Sequence, residues 1–306
     1  MSDGPLRVAK LESFYLGGAP LPVDTPMHGG DEMIVGAMYV QHIAPAEISF
    51  PYPVVFIHGG MHTGVTWETT PDGRAGWQTL FVRAGFDTYV VDQPYRGRSA
   101  PDLTALAPSV PSSGPAPQVA VGGRAIAEFL HRGGGRFPSH RTDHYVKQFW
   151  PDFGMVAAVE QGHPGISDPR AVPPMLELLD RVGPAALVTH SQGGDLGWRL
   201  AVAAPEKIAG IVAVEPSRTS PGLDDPAFPD IPVCVIWGDN TPDAGPVLSK
   251  IDVDAGRAIA AHRRNVTIDV LPEAGITGNG HMLMMESNNA EIAQRIAGWL
   301  RANVRG

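Results

Sequence analysis

The sequence predicts an α/β fold, a mostly parallel central sheet flanked by helices, on three observations. Short β-branched or aromatic runs alternate with one-sided helical patterns, the arrangement of strands joined by crossover helices. The chain has 306 residues, 43% of them hydrophobic and 18% charged, which suits one large domain with a sizeable core, and residues 1–306 are read as that domain. Glycine (36) and proline (30) are both abundant, so long loops are expected between the elements.

Leu11 to Leu16 and Met33 to His42 read as opening strands, paired antiparallel, because Gly29-Gly30-Asp31 supplies turn chemistry just before the second. Pro53 to Ile57 is a continuous apolar strand that ends in His58-Gly59-Gly60. Gly76 to Ala84 places Trp77, Leu80, Phe81 and Ala84 on one side of a helix that would cover the sheet. Phe86 to Val91 is the next strand and ends at Asp92. Ala185 to Thr189 leads into Ser191, and a helix follows from about Gly194 to Ala204. Ile208 to Val214, Pro232 to Trp237 and Val266 to Leu271 are further strands, and Glu291 to Val304 is a closing amphipathic helix.

Residues 98–172 break this pattern. They are rich in glycine and proline, hold His131, His140, His144 and His163, and show one convincing helix, Val119 to His131. A structureless loop of that length is out of place in a compact domain, so the stretch is read as a cap or lid inserted before the strand that carries Ser191. Phe149, Trp150, Phe153 and Met155 argue against a disordered excursion.

The net charge is −9 and no lysine or arginine run is long enough to track a phosphate backbone, so nucleic acid is not an expected partner. Met1 to Lys10 contains Asp3 and no apolar core of a signal peptide, and no later segment approaches ~18 uninterrupted apolar residues. The expectation is a soluble, cytoplasmic protein without a membrane partner. The sole cysteine, Cys234, lies in the apolar run Ile231 to Trp237 and reads as an inert core thiol with no intrachain disulfide.

The segment Leu187-Val-Thr-His-Ser-Gln-Gly-Gly194 places a serine at a strand-to-helix junction, a near match to the nucleophile elbow G-x-S-x-G with Thr189 in the first glycine position. A sharp turn there lifts the hydroxyl above the sheet edge, while Gly193 keeps the backbone behind it uncrowded and the first N–H groups of the helix face the site. A serine hydroxyl needs a base, and the downstream candidates are His262 and His281. His262 sits in the helical, solvated run Ala-Ala-His-Arg-Arg, whereas His281 lies in the loop Gly278-Asn-Gly-His-Met before the last helix and is the expected base.

Two carboxylates end strands between them, Glu215 and Asp239, and chemistry alone leaves the choice of acid even. The loop His58-Gly-Gly-Met-His62 is placed to supply an oxyanion donor, so the expected pair is the backbone N–H of Gly60 and that of Gln192. His58 and His62 have i, i+4 spacing but no helix pattern and no accompanying glutamate, so no metal site is expected. Asp92, Arg96 and Arg98 read as a charge-paired loop that supports the site from below. Trp67, Trp77, Met282, Met284 and Met285 fit an apolar pocket or ordinary core equally well.

The run His58-Gly-Gly-Met-His-Thr-Gly-Val-Thr-Trp-Glu-Thr-Thr-Pro-Asp-Gly-Arg-Ala-Gly-Trp77, with Val91-Asp-Gln-Pro-Tyr-Arg-Gly-Arg-Ser99, resembles a subgroup of bacterial serine esterases in the α/β-hydrolase superfamily. Thr189-His-Ser-Gln-Gly193, Val212-Ala-Val-Glu-Pro216 and Gly278-Asn-Gly-His-Met-Leu-Met-Met285 extend the likeness from about Pro53 to the C-terminus. The resemblance implies the α/β-hydrolase fold and an acid at the end of the strand after the nucleophile, which maps onto Glu215. Zearalenone-type lactonases look similar in using serine, glutamate and histidine, so a lactone substrate is implied as an option. Members of the subgroup carry two adjacent cysteines where this chain has Gly60-Met61, and they begin with an export signal, so neither their loop rigidity nor their periplasmic setting carries over.

The resulting expectation is a carboxylic ester hydrolase, an esterase or lactonase, in which Ser191, Glu215 and His281 act through an acyl-enzyme with no cofactor. Its partner would be a small-molecule ester or lactone, with association into a homo-oligomer left open. A non-hydrolytic lyase and a small-molecule-binding protein on the same scaffold are the rival classes.

Overall fold

Apolar runs become strands buried on both faces wherever helices cover the sheet on each side. The computed structural model describes residues 4–23, 30–99, 127, 128, 130, 135–150, 167–217, 222–239 and 251–306. Its strands are β1 (Val8–Val23), β2 (Asp31–Pro45), β3 (Val54–Ile57), β4 (Thr88–Asp92), β5 (Ala185–His190), β6 (Ile208–Val214), β7 (Val233–Trp237) and β8 (Val266–Val270). They form one sheet in the order β1-β2-β4-β3-β5-β6-β7-β8. β1 and β2 pair antiparallel, as does β2 with β4, and every pair from β4 to β8 is parallel.

The helices are α1 (Val65–Glu68), α2 (Trp77–Arg83), α3 (Thr142–Val146), α4 (Val172–Val182), α5 (Gln192–Ala203), α6 (Ile251–Ala260) and α7 (Asn289–Asn303). Side chains alternate between two cores. Val54, Phe56, Ala186, Val188, Val212 and Val214 join Phe81, Ile292 and Ile296 on one face of the sheet. Val55, Ile57, Leu187, Ile211 and Ala213 join Met175, Leu178 and Leu196 on the other. Burial of one such leucine or isoleucine contributes about 1.5–3 kcal/mol, so the two layers dominate stability. Cys234 is buried in the first core, and burial pushes its thiol well above the usual range.

Within the described residues the expected elements are present, with bounds that differ at the ends. β1 runs well beyond Leu16, to Val23, because Gly17 and Gly18 take positive φ (66° and 89°), letting the ribbon bend without breaking, while at the ribbon's other end β2 continues past His42 to Pro45, which pairs with Val8. α5 starts at Gln192, two residues before the expected Gly194, because the turn at Ser191 is tighter than composition alone suggests. Among the described residues no helix is long and apolar enough to cross a membrane.

Much of the 98–172 insertion, including Phe153, Met155, His163 and most of the expected Val119 to His131 helix, lies outside the described residues. The described part, 135–150, packs on the loops after β3 and β4. Tyr145 Oη lies 2.9 Å from His62 Nε2, the Trp150 amide donates to the Met61 carbonyl at 2.9 Å, and the Trp150 indole donates to the Tyr95 carbonyl at 3.0 Å.

Candidate active site

Chain order reverses around β3, whose neighbours are β4 on one side and β5 on the other, and the crevice at such a switch point is where open α/β sheets place ligands. Register sets the neighbours there. Ile57 pairs with Thr189 and His190 with Val214, so the loop after β3, the turn after β5 and the residue after β6 emerge side by side.

Ser191 occupies that turn with φ 51° and ψ −122°, directly before α5. A positive φ at a non-glycine residue is strained, and here the Ser191 amide is held on the Val214 carbonyl at 3.1 Å. Gly193 is required by close approach, since a Cβ there would sit 2.6 Å from the His58 carbonyl oxygen. Thr189 fits in place of the motif's first glycine because the helix residue opposite is Gly197, where an added Cβ would lie 3.0 Å from the threonine methyl.

Glu215 follows β6 and is likewise strained, with φ 47°. Its side chain is fully buried, with Oε1 accepting the Gly238 amide at 2.5 Å and Oε2 lying 3.3 Å from His281 Nδ1. Asp239 does something else. Its two oxygens accept the amides of Gly278 and Asn279 at 2.8 and 2.7 Å, fastening the loop that carries His281. Geometry thus separates the two carboxylates: Glu215 meets the imidazole, and Asp239 meets the backbone beside it.

His281 is buried, and its carbonyl accepts from His190 Nε2 at 3.0 Å while the two rings lie tilted at 49° with centroids 4.7 Å apart. Burial, then the nearby His281 and His62, holds His190 well below the ordinary histidine range. His62 is pushed down to about 3 by burial, against an opposing bond to the Gly60 carbonyl. His262 is exposed just past the end of α6.

One expectation changes here and one open choice closes. Asp92 does pair with Arg98, at 2.7 Å, but Arg96 does not join that pair: it donates to the Gly59 carbonyl and to Gln192 Oε1. His58 and His62 spend their Nδ1 atoms on the Gly59 and Gly60 carbonyls, and among the described residues no group of three or more His, Cys, Asp or Glu is arranged to hold a metal. Trp67, Trp77, Met282, Met284 and Met285 are fully buried in the core beneath the site, which settles them as packing.

Glu286 went unnoticed in the sequence, where it is one glutamate after an apolar run. It is fully buried, accepts the Gly280 amide at 2.5 Å and takes a further bond from Asn279 Nδ2. Burial pushes its carboxyl up to about 8; the Asn279 and Gly280 bonds oppose this, and the charges of Glu215 and Asp239 add to it. Between pH 4.5 and about 8 the folded chain therefore binds this proton more readily than the unfolded chain, so the stability it supplies is present at low pH and is lost as pH rises. Urea midpoints are expected to show wild type losing ground to Glu286→Gln across that window; parallel pH curves for the two would contradict it.

A family profile described as alpha/beta hydrolase fold matches residues 52–231. The chain belongs to this α/β-hydrolase fold family. It is similar to a bacterial esterase of solved structure, with 30% identity, a TM-score of 0.84 and 99% of each chain covered. It is also 31% identical to the probable secreted lipase phiG of a fungus (Fungal sp., strain ATCC 74256), over 86% of this chain and 85% of that protein.

Proposed function

We propose that this chain is a serine carboxylic ester hydrolase that works through an acyl-enzyme. One observation carries the reading: the buried Glu215–His281 pair lies at the same sheet edge as the strained turn at Ser191. Names of relatives that include an esterase and a lipase point to the same bond type.

In this reading His281 takes the proton from Ser191 Oγ as the oxygen attacks the acyl carbon. Glu215 holds the Nδ1–H tautomer and stabilises the imidazolium that forms, as the acid of a catalytic triad does. The tetrahedral oxyanion rests on the N–H groups of Gly60 and Gln192, fixed donors aimed at the charge as it develops. His281 then protonates the leaving alcohol, and a water activated by the same ring releases the acid. The described part of the insertion, 135–150, caps the site beside the loop after β3, and the substrate is an apolar small-molecule ester or lactone, with a macrocyclic lactone included. A cytoplasmic location is part of the proposal, and it contrasts with the fungal relative's name.

A fluorophosphonate probe tests the chemistry: peptide mapping is expected to find one adduct, on Ser191. Absence of labelling would favour a binding protein, and labelling without ester turnover a lyase. A panel of nitrophenyl esters and macrocyclic lactones, ranked by kcat/KM, is expected to favour apolar acyl groups. Preference for charged acyl groups would reject the apolar assignment.

A further inference from the structure

The two halves of the proposed oxyanion hole come from distant parts of the chain, and one buried side chain touches both. Arg96, 4% exposed, lies in the loop after β4. One of its terminal nitrogens donates to the Gly59 carbonyl at 3.1 Å, the other to Gln192 Oε1 at 2.9 Å. The loop is itself held: the Arg96 amide donates to the Gln93 carbonyl at 3.1 Å, the Ser99 amide donates to the Arg96 carbonyl at 2.9 Å, and Asp92 accepts the Arg98 amide at 2.8 Å.

A planar trans peptide points its carbonyl and its N–H in opposite directions. Whatever holds the Gly59 carbonyl therefore also aims the Gly60 N–H. His58 Nδ1, 2.8 Å from the same carbonyl, adds a second hold, and His62 Nδ1, 2.7 Å from the Gly60 carbonyl, fixes the next peptide in the same way. Gln192 is the first residue of α5, so a bond to its side chain fixes the helix start whose N–H is the other donor. A guanidinium can serve both acceptors because its donors diverge at fixed angles, which a lysine ammonium on its single point cannot reproduce.

We propose that Arg96 is a positioning residue for the oxyanion hole, holding the Gly60 and Gln192 N–H groups in mutual register through the Gly59 carbonyl and the Gln192 side chain. The proposal rests on the serine-hydrolase reading. Its role is separate from binding the substrate, so its removal acts on the transition state more than on affinity for the ester.

Wild type, Arg96→Met, Arg96→Lys and Gln192→Ala are compared on p-nitrophenyl butyrate, with active sites counted by the fluorophosphonate. Since losing a whole donor typically costs ~10²- to 10³-fold, Arg96→Met is expected to lower kcat per titrated site by about 10- to 100-fold with KM little changed. Affinity for a phenylboronic acid, whose adduct places an oxygen in the hole, falls by a similar factor. Arg96→Lys recovers only part of the loss, and Gln192→Ala shows a smaller one. A purely structural role would lower the titratable fraction and leave kcat per site intact. An Arg96→Met value within about twofold of wild type, or a loss confined to KM, overturns the proposal. Should Arg96→Met fail to fold, an unchanged kcat in Gln192→Ala overturns it instead. Wild type left unlabelled at Ser191 sinks the hydrolase reading itself, a result distinct from either.

Discussion

Replacing Ser191 with alanine is expected to lower kcat on a short-chain nitrophenyl ester by about 10⁵- to 10⁶-fold. The size follows from the role. Without Oγ there is no covalent step, and only the oxyanion donors and substrate positioning remain, worth a residual ~10³- to 10⁴-fold over water. Alanine keeps the Cβ, so the turn at φ 51° and the bond from residue 191's amide to Val214 are retained and the fold should hold. Circular dichroism and the thermal midpoint check that the protein compared is intact. An alanine variant that still turns over ester at the wild-type rate ends the proposed mechanism.

The second large effect separates the two carboxylates. Glu215→Gln is expected to cost about 10³- to 10⁴-fold in kcat. Its oxygen would keep the Gly238 amide, leaving the NH₂ group toward His281 Nδ1. That face rewards the tautomer with the proton on Nε2, which cannot accept one from serine. Asp239→Asn instead weakens two backbone bonds to Gly278 and Asn279, a loss of about 1–3 kcal/mol in stability with a mild fall in turnover. Measured side by side, the reverse ranking would transfer the role of the acid to Asp239.

The fold was largely legible because its signals are local. β3, β5, β6 and β7 are continuous apolar runs, α2 has its apolar residues on one side, and glycine or proline marks the turns between them. The ends of β1 and β2 were less legible, since Gly17 and Gly18 read as breakers in isolation yet are absorbed into a paired ribbon. Within the candidate site, Ser191 and His281 stand out by their flanking residues, and Thr189 looks like a defect until Gly197 is seen opposite it.

The sequence by itself determined the strand runs, the serine turn and the histidine loop, because each depends on residues within a few positions of one another. Residue chemistry left Glu215 and Asp239 even, and only the family resemblance favoured Glu215; nothing local could set Asp239 against the loop backbone, detach Arg96 from Asp92, bury Glu286 or assign the tryptophans and methionines to the core. Those outcomes belong to the tertiary structure. They depend on which strands are neighbours and in what register, and sheet order brings together side chains that lie tens or hundreds of residues apart in the chain.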